Sequence, residues 1–265
     1  MTTKLPSALK SAGVIAYSTF LEAIRNRLLM VTLVFAAVLM GLSVTAASVS
    51  LGERTRLIVD VGLAAGSAIG SIIAIALSIS SFGGEIRNRT AYTVLVRPIP
   101  RWGFILGKFL GLSATMALVI TGMLLATAGL VLIQGEQLPI AFWGCLWLNL
   151  IEVMIVIAIS LFFSTLAVPV LAATYTGGLV LAGNLAGDIL EFIRQAAAKG
   201  MENAAILEYF YYLLPDLQEL SLRNEAANNL DIPLSFIANG TAYGLCYSLT
   251  VLIGAMWVFT ARKSL

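Results

Sequence analysis

Long uncharged apolar runs alternate along this chain with short charged breaks. The run 28–52 lies between Arg27 and Glu53, and 61–82 lies between Asp60 and the pair Gly83-Gly84. The run 109–135 lies between Lys108 and Glu136, 153–187 follows Glu152, and 232–261 lies between Asp231 and Arg262. A bilayer hydrocarbon core of about 30 Å takes roughly 20 residues of helix, so 153–187 is too long for one crossing. Extended back to Phe142, that stretch divides near Pro169, where the ring breaks a helix. The pattern predicts six spans at 28–50, 59–82, 106–133, 142–166, 169–188 and 237–260. The runs are too long and too rich in Gly and Ala for the two-residue alternation of a membrane β-barrel. The expected fold is all-α and polytopic, with residues 1–265 forming one transmembrane domain. Residues 1–27 lack a short apolar stretch followed by a small-residue cleavage site, so the first span is expected to serve as its own insertion signal.

Composition narrows the function classes. Hydrophobic residues make up 59% of the 265 positions and charged residues only 11%, whereas about 25% charge is usual in soluble domains. Mean hydropathy is +0.94. A soluble domain could not cover that much apolar surface. Histidine is absent, which excludes histidine-based metal centres and catalytic triads. Cys145 and Cys246 both lie in apolar runs and read as small hydrophobic side chains, pairing only if the fold brings them together. Neither a metal site nor a nucleic-acid partner is expected.

The distribution of charge orients the spans. Residues 1–27 carry Lys4, Lys10, Arg25 and Arg27 against Glu22, and residues 83–108 carry Arg87, Arg89, Arg97, Arg101 and Lys108 against Glu85. Arg262 and Lys263 follow the last span. The intervening segments are neutral or acidic, and 188–231 has eight acids against three bases. Basic residues in short loops stay in the cytoplasm, and an even number of spans puts both termini on one side. Both arguments place the termini in the cytoplasm, and the expected location is the bacterial inner membrane.

Three segments outside the spans carry further pattern. In residues 5–27, Leu5, Leu9, Ala12, Ala16, Phe20, Ile24 and Leu28 recur every three or four positions, while the charges avoid that stripe. This predicts an amphipathic helix on the cytoplasmic membrane face, in contact with lipid. In the basic loop, Gly83-Gly84 and Pro98 with Pro100 are expected to bracket a short helix from Glu85 to Val96. Its mixture of acid, base, Tyr92 and apolar residues suits docking onto a protein. Residues 188–236 hold the cluster Tyr209-Phe210-Tyr211-Tyr212, an aromatic density that fits the headgroup belt. They predict one or two helices at the outer interface or a re-entrant hairpin, with the aromatic cluster as a contact for an outer-side partner or cargo.

Within the spans, Gly62, Gly66 and Gly70 repeat at four residues, giving a face for close helix packing inside one subunit or across a dimer. Gly103, Gly107 and Gly111 repeat the spacing. Glu152 is the one ionisable residue deep within a predicted span, with Asn149 three residues earlier. A buried acid is costly unless it faces a cavity, a partner or a proton path. Two readings stand for Glu152: a transport-pathway or gating residue, or a neutral, hydrogen-bonded contact between helices, with Asn149 able to share its site. The stretch from Gly103 to Lys108 falls one residue short of a P-loop, and Phe109 replaces the Ser or Thr that would hold magnesium. The chain therefore lacks its own ATP-hydrolysing motif and is not expected to be an enzyme.

The stretch from Glu85 to Arg101, followed by Gly107-Lys108, resembles the cytoplasmic loop of ABC-2 type permeases, the membrane subunits of ATP-binding cassette transporters. Glu85, Thr90, Pro98, Arg101, Gly107 and Lys108 match the family pattern, and Arg89 stands where glycine is usual. Residues 17–27 are similar to the family's amphipathic connecting helix, and the layout is like that of type V exporters. The subgroup most similar is the one labelled copper-enzyme maturation permease. With no histidine and no methionine cluster, the chain offers no soft-metal path of its own. The resemblance implies a separate cytosolic ATPase that binds ATP and magnesium, so no cofactor is expected in this chain. It implies a second permease copy, identical or paralogous, and an outer-side accessory protein remains an open partner. The loop 83–104 would be the coupling element, with Glu85, Arg87, Arg89, Thr90, Tyr92, Arg97, Pro98, Pro100 and Arg101 as its contact residues. A competing reading is a membrane scaffold that passes ATPase motion to an outer-side partner without moving cargo.

Overall fold

The computed structural model of the chain describes residues 5–27, 54–87, 101–133, 137–198, 214–222 and 232–261, together with isolated positions between them. Among these residues there are seven helices: α1 (Leu5–Ile24), α2 (Arg54–Arg87), α3 (Arg101–Ile133), α4 (Ala141–Leu166), α5 (Pro169–Asn184), α6 (Ala186–Ala198) and α7 (Leu234–Ala261). Four of them, α2, α3, α4 and α7, are long and apolar enough to cross a membrane; α5 with α6 makes a fifth if that bent pair is one span. Most of the predicted span 28–50 lies outside the described residues. The fold is all-helical, and the apolar helices make the protein a multi-pass membrane protein.

Helix α4 sits at the centre, packed against α2, α3, α5 and α7. Every residue from Ile155 to Leu161 on it is buried, so protein surrounds this stretch on all sides. The outer helices instead expose one apolar strip each. Leu118, Leu125 and Leu132 do so on α3 at seven-residue spacing, and Leu249, Ile253 and Trp257 on α7 at four-residue spacing. These strips are where hydrocarbon replaces protein as the neighbour.

Small residues set how closely the helices approach. Gly62, Gly66 and Gly70 on α2 face inward. A Cβ at Gly62 would run into Thr127 of α3, one at Gly66 would lie 3.2 Å from Leu124 of α3, and one at Gly70 would lie 3.5 Å from Ile120 of α3. Gly107 and Gly111 on α3 seat α1, whose Ala12 and Ala16 carbonyls would stand 2.8 Å and 2.5 Å from Cβ atoms at those positions.

The structure changes four sequence expectations. Helix α1 buries Ala12, Ile15, Thr19 and Ala23, whereas Ile24 of the expected stripe is 40% exposed. The buried face is turned because the two glycines of α3 offer a backbone groove to those positions. Helix α2 runs through Gly83-Gly84 to Arg87, where a stop was expected. Each glycine costs a helix about 1 kcal/mol relative to alanine, too little by itself to end one. Helix α3 begins at Arg101, five residues before the expected start at 106. Helix α5 ends at Asn184, inside the expected span 169–188, and the chain bends by 67° into α6. At the bend, Asn184 Nδ2 donates to the Val180 carbonyl at 2.9 Å. Leu217 N donates to the Gly183 carbonyl at 3.2 Å, and Gly187 N donates to Gln218 Oε1 at 2.9 Å. Residues 215–218 therefore occupy the corner and satisfy backbone groups on both sides of it.

Replacing Gly111 by leucine should drive α1 from its seat, because the carbonyl and Thr19 leave no room. Overpacking of this kind costs about 1–3 kcal/mol. Thermal unfolding in detergent should show the loss, and faster proteolysis within α1 should accompany it.

Candidate functional site

Two polar constellations lie inside the apolar bundle. The first is built on Lys108, seven residues after the start of α3. Its side chain is 1% exposed. The ammonium donates to Ser81 Oγ at 2.7 Å and to the Ser81 carbonyl at 3.3 Å, both on α2. Glu22 Oε2 of α1 stands 3.7 Å away, but that carboxylate is 55% exposed, so the ion pair adds little and the Ser81 bonds carry the contact. The ammonium also lies 5.9 Å from the Phe104 ring centroid. Phe104 clusters with Phe82 of α2 and Phe259 of α7, with centroids about 6 Å apart. One cation thus joins α1, α2 and α3 at the end of the bundle from which the segment 88–100 departs. In sequence Lys108 reads only as a flanking charge and a motif match. Its burial depends on Ser81, which lies across that segment.

The second constellation is built on Glu152 of α4, which is 2% exposed. Ser67 of α2 donates its hydroxyl to the carboxylate, with Oγ 2.8 Å from Oε1 and 3.0 Å from Oε2. Asn149 lies one turn earlier on α4 and Ser71 one turn later on α2. Helical spacing puts each on the same face as its neighbour. All of them line a cavity of about 490 Å³ between α2, α4 and α5, closed at one end by Leu220, Ser221 and Leu222. Gly66 makes room here, since a Cβ would lie 3.4 Å from Asn149 Nδ2. Cys145 also lines the cavity, and its thiol donates to the Leu222 carbonyl at 3.1 Å, which fixes the closing segment to α4. Cys145 is buried and Cys246 exposed, and both are free thiols.

Of the other expected site residues, Arg89, Thr90, Tyr92, Arg97, Pro98, Pro100, Tyr209, Phe210 and Tyr212 lie outside the described residues. Glu85 and Arg87 fall in the last turn of α2, and Arg101 opens α3, so the helix ends bracket the expected coupling segment. Tyr211 donates its hydroxyl to Asp216 Oδ2 at 3.1 Å. Burial, then the Asp216 carboxylate, pushes that hydroxyl up to about 12, so it stays protonated and able to donate. Asp216 N in turn donates to Tyr243 Oη of α7 at 2.9 Å. The expected aromatic cluster is thus represented by a residue that holds the 214–222 segment in place. The contribution of Asp216 and Gln218 to that segment was not legible, because their partners lie on α6 and α7.

Removing the Ser67 hydroxyl leaves a buried carboxylate without its donor. Ser67→Ala is expected to cost about 1–3 kcal/mol. Glu152→Gln, which removes the buried charge and keeps the shape, should unfold at or above the temperature of the unmodified chain. Parallel melting curves in one detergent check both.

Comparison with known proteins identifies the family. No curated protein matches the chain. The family model described as "ABC-2 family transporter protein" matches residues 13–263, which takes in every helix described above except the first turns of α1. The chain belongs to the ABC-2 transporter family and is a membrane component of an ABC transporter.

Proposed function

We propose that this chain is the permease subunit of an ATP-binding cassette exporter of the bacterial inner membrane, with six spans and both termini in the cytoplasm. It pairs with a second permease copy and is driven by a separate cytosolic ATPase. The basic segments 1–27 and 83–108 support this orientation. The ATPase docks on the segment between α2 and α3, through Glu85, Arg87, Arg89, Thr90, Tyr92, Arg97, Pro98, Pro100 and Arg101. The cavity beside Glu152 then opens from the outer half of the bundle and serves the cargo.

The observation that carries this reading is the Lys108 contact. A push on the docking segment meets the ends of α2 and α3 first. Lys108 and Ser81 tie those ends to each other about 10 Å below the start of α3, given a rise of 1.5 Å per residue. They therefore move as a unit, and α1, seated on Gly107 and Gly111, moves with them. Since α2 also carries Ser67, displacement of α2 reaches the cavity without any further joint.

A tagged chain purified in mild detergent should bring down a stoichiometric P-loop protein with ATPase activity. Glu85→Ala combined with Arg101→Ala should weaken that association by about tenfold or more, equivalent to about 1.4 kcal/mol, while membrane insertion is unchanged. Retention of the ATPase at the unmodified level would overturn the docking assignment.

A further inference from the structure

The cavity at Glu152 has an imbalance of hydrogen-bonding groups. When ionised, its carboxylate can only accept, and among the described residues the Ser67 hydroxyl donates to it. Among the described residues, Asn149 Oδ1 and Ser71 Oγ are buried and have no hydrogen-bond partner, in side chains that are 6% and 5% exposed. Both residues line the cavity. Among the described residues, no lysine or arginine lines the cavity, so none of them balances a negative charge there. Buried polar atoms are normally satisfied, and a carboxylate at this depth is costly unless a partner faces it. The missing partner is one that brings hydrogen-bond donors and a single positive charge.

The rest of the wall has the opposite character. Leu63, Ile75, Val180, Leu181 and Leu222 make it largely apolar, and Ile72 at the rim is 60% exposed. About 490 Å³ is within the range of small-molecule sites and far exceeds a bare ion. A divalent cation would also want six or more oxygen ligands, and it would make no use of the apolar wall.

We propose that this cavity binds the primary-ammonium end of an amphiphile, with the nitrogen at Glu152, Asn149 and Ser71 and the hydrocarbon along α2 and α5. An –NH₃⁺ group has three donors and no acceptor, which matches one carboxylate and two unanswered oxygens. A quaternary ammonium carries the charge without the donors and satisfies only Glu152. The assignment rests on the permease reading and names the chemical class of its cargo. The amine can belong to a membrane aminolipid or to a free alkylamine.

The test uses the full chain in phosphatidylcholine nanodiscs, with radiolabelled dodecylamine as the probe and empty nanodiscs as the background. Saturable binding of one amine per chain is expected. Glu152→Gln should weaken it by about tenfold or more, and Asn149→Ala or Ser71→Ala by a smaller factor, as loss of single hydrogen bonds predicts. Ala68→Trp, at the exposed rim, should block binding while leaving every polar residue in place. Dodecanol should fail to compete, and dodecyltrimethylammonium should compete at least about tenfold less well. Competition by phosphatidylethanolamine would assign the site to a lipid amine, and its failure to compete would assign it to a free amine. Unchanged affinity in Glu152→Gln, displacement by dodecanol as effective as by the amine, or saturation by sodium with no amine site would each overturn the proposal. ATPase association without amine binding would overturn only the cargo class. Amine binding without an associated ATPase would overturn only the docking assignment.

Discussion

The hydroxyl of Ser67, donated to both oxygens of Glu152, decides how α2 and α4 face each other. Between helices in hydrocarbon there is no hydrophobic driving force, so close packing and buried hydrogen bonds choose the register. Gly62, Gly66 and Gly70 allow α2 to approach α3 and α4, but small residues alone would permit sliding. A charged group that must be answered restricts that freedom, because a register that offers the carboxylate no hydroxyl is costly. Once α2 is fixed on α4, the polar faces of both line one space, and α5 completes its wall. The same rule operates at the other constellation, where Ser81 receives the Lys108 ammonium and α1 settles beside it.

The bundle therefore has a division of labour along its length. At the end with the Phe82, Phe104 and Phe259 cluster, α1, α2, α3 and α7 meet in a rigid junction. Farther along, α2, α4 and α5 part enough to leave a cavity. Helix α2 belongs to both regions and is continuous over 34 residues. A transporter needs such a member, rigid enough to transmit displacement and in direct contact with the space that changes.

How much of this the sequence discloses depends on how local each cause is. Helices α2, α3, α4 and α7 follow from uncharged runs, because the membrane acts on each run independently. Pro169 marks the start of α5, because the ring's effect on the helix is local. Glu152 and Asn149 stand out as polar residues in a span, and their sharing of one face follows from spacing. Ser67 and Ser71 do not stand out, since serine is common in such helices and only the approach of α4 gives them a role. The bend after Asn184 is likewise hidden. The backbone groups there are answered by the segment around Leu217 and Gln218, which is remote in the chain and carries no motif. The turned face of α1 has a remote cause as well, in the two glycines of α3. The glycine pair at 83–84 misleads for a different reason: glycine weakens a helix without necessarily ending it, and nothing local separates the two outcomes.

The closing segment at Leu220–Leu222 also has a consequence for biogenesis. Polypeptides emerge from the ribosome N-terminal end first and begin to fold in that order. Helices α2, α3 and α4 are thus available to assemble around Ser67 and Glu152 before the segment that covers one end of their cavity has been synthesised. The wall from α5 comes next, and the cover that Cys145 fastens through the Leu222 carbonyl comes after it, just ahead of α7. For that interval the nascent bundle holds its buried acid in an open cleft. Lipid or the insertion machinery must accommodate the cleft until residues 214–222 arrive.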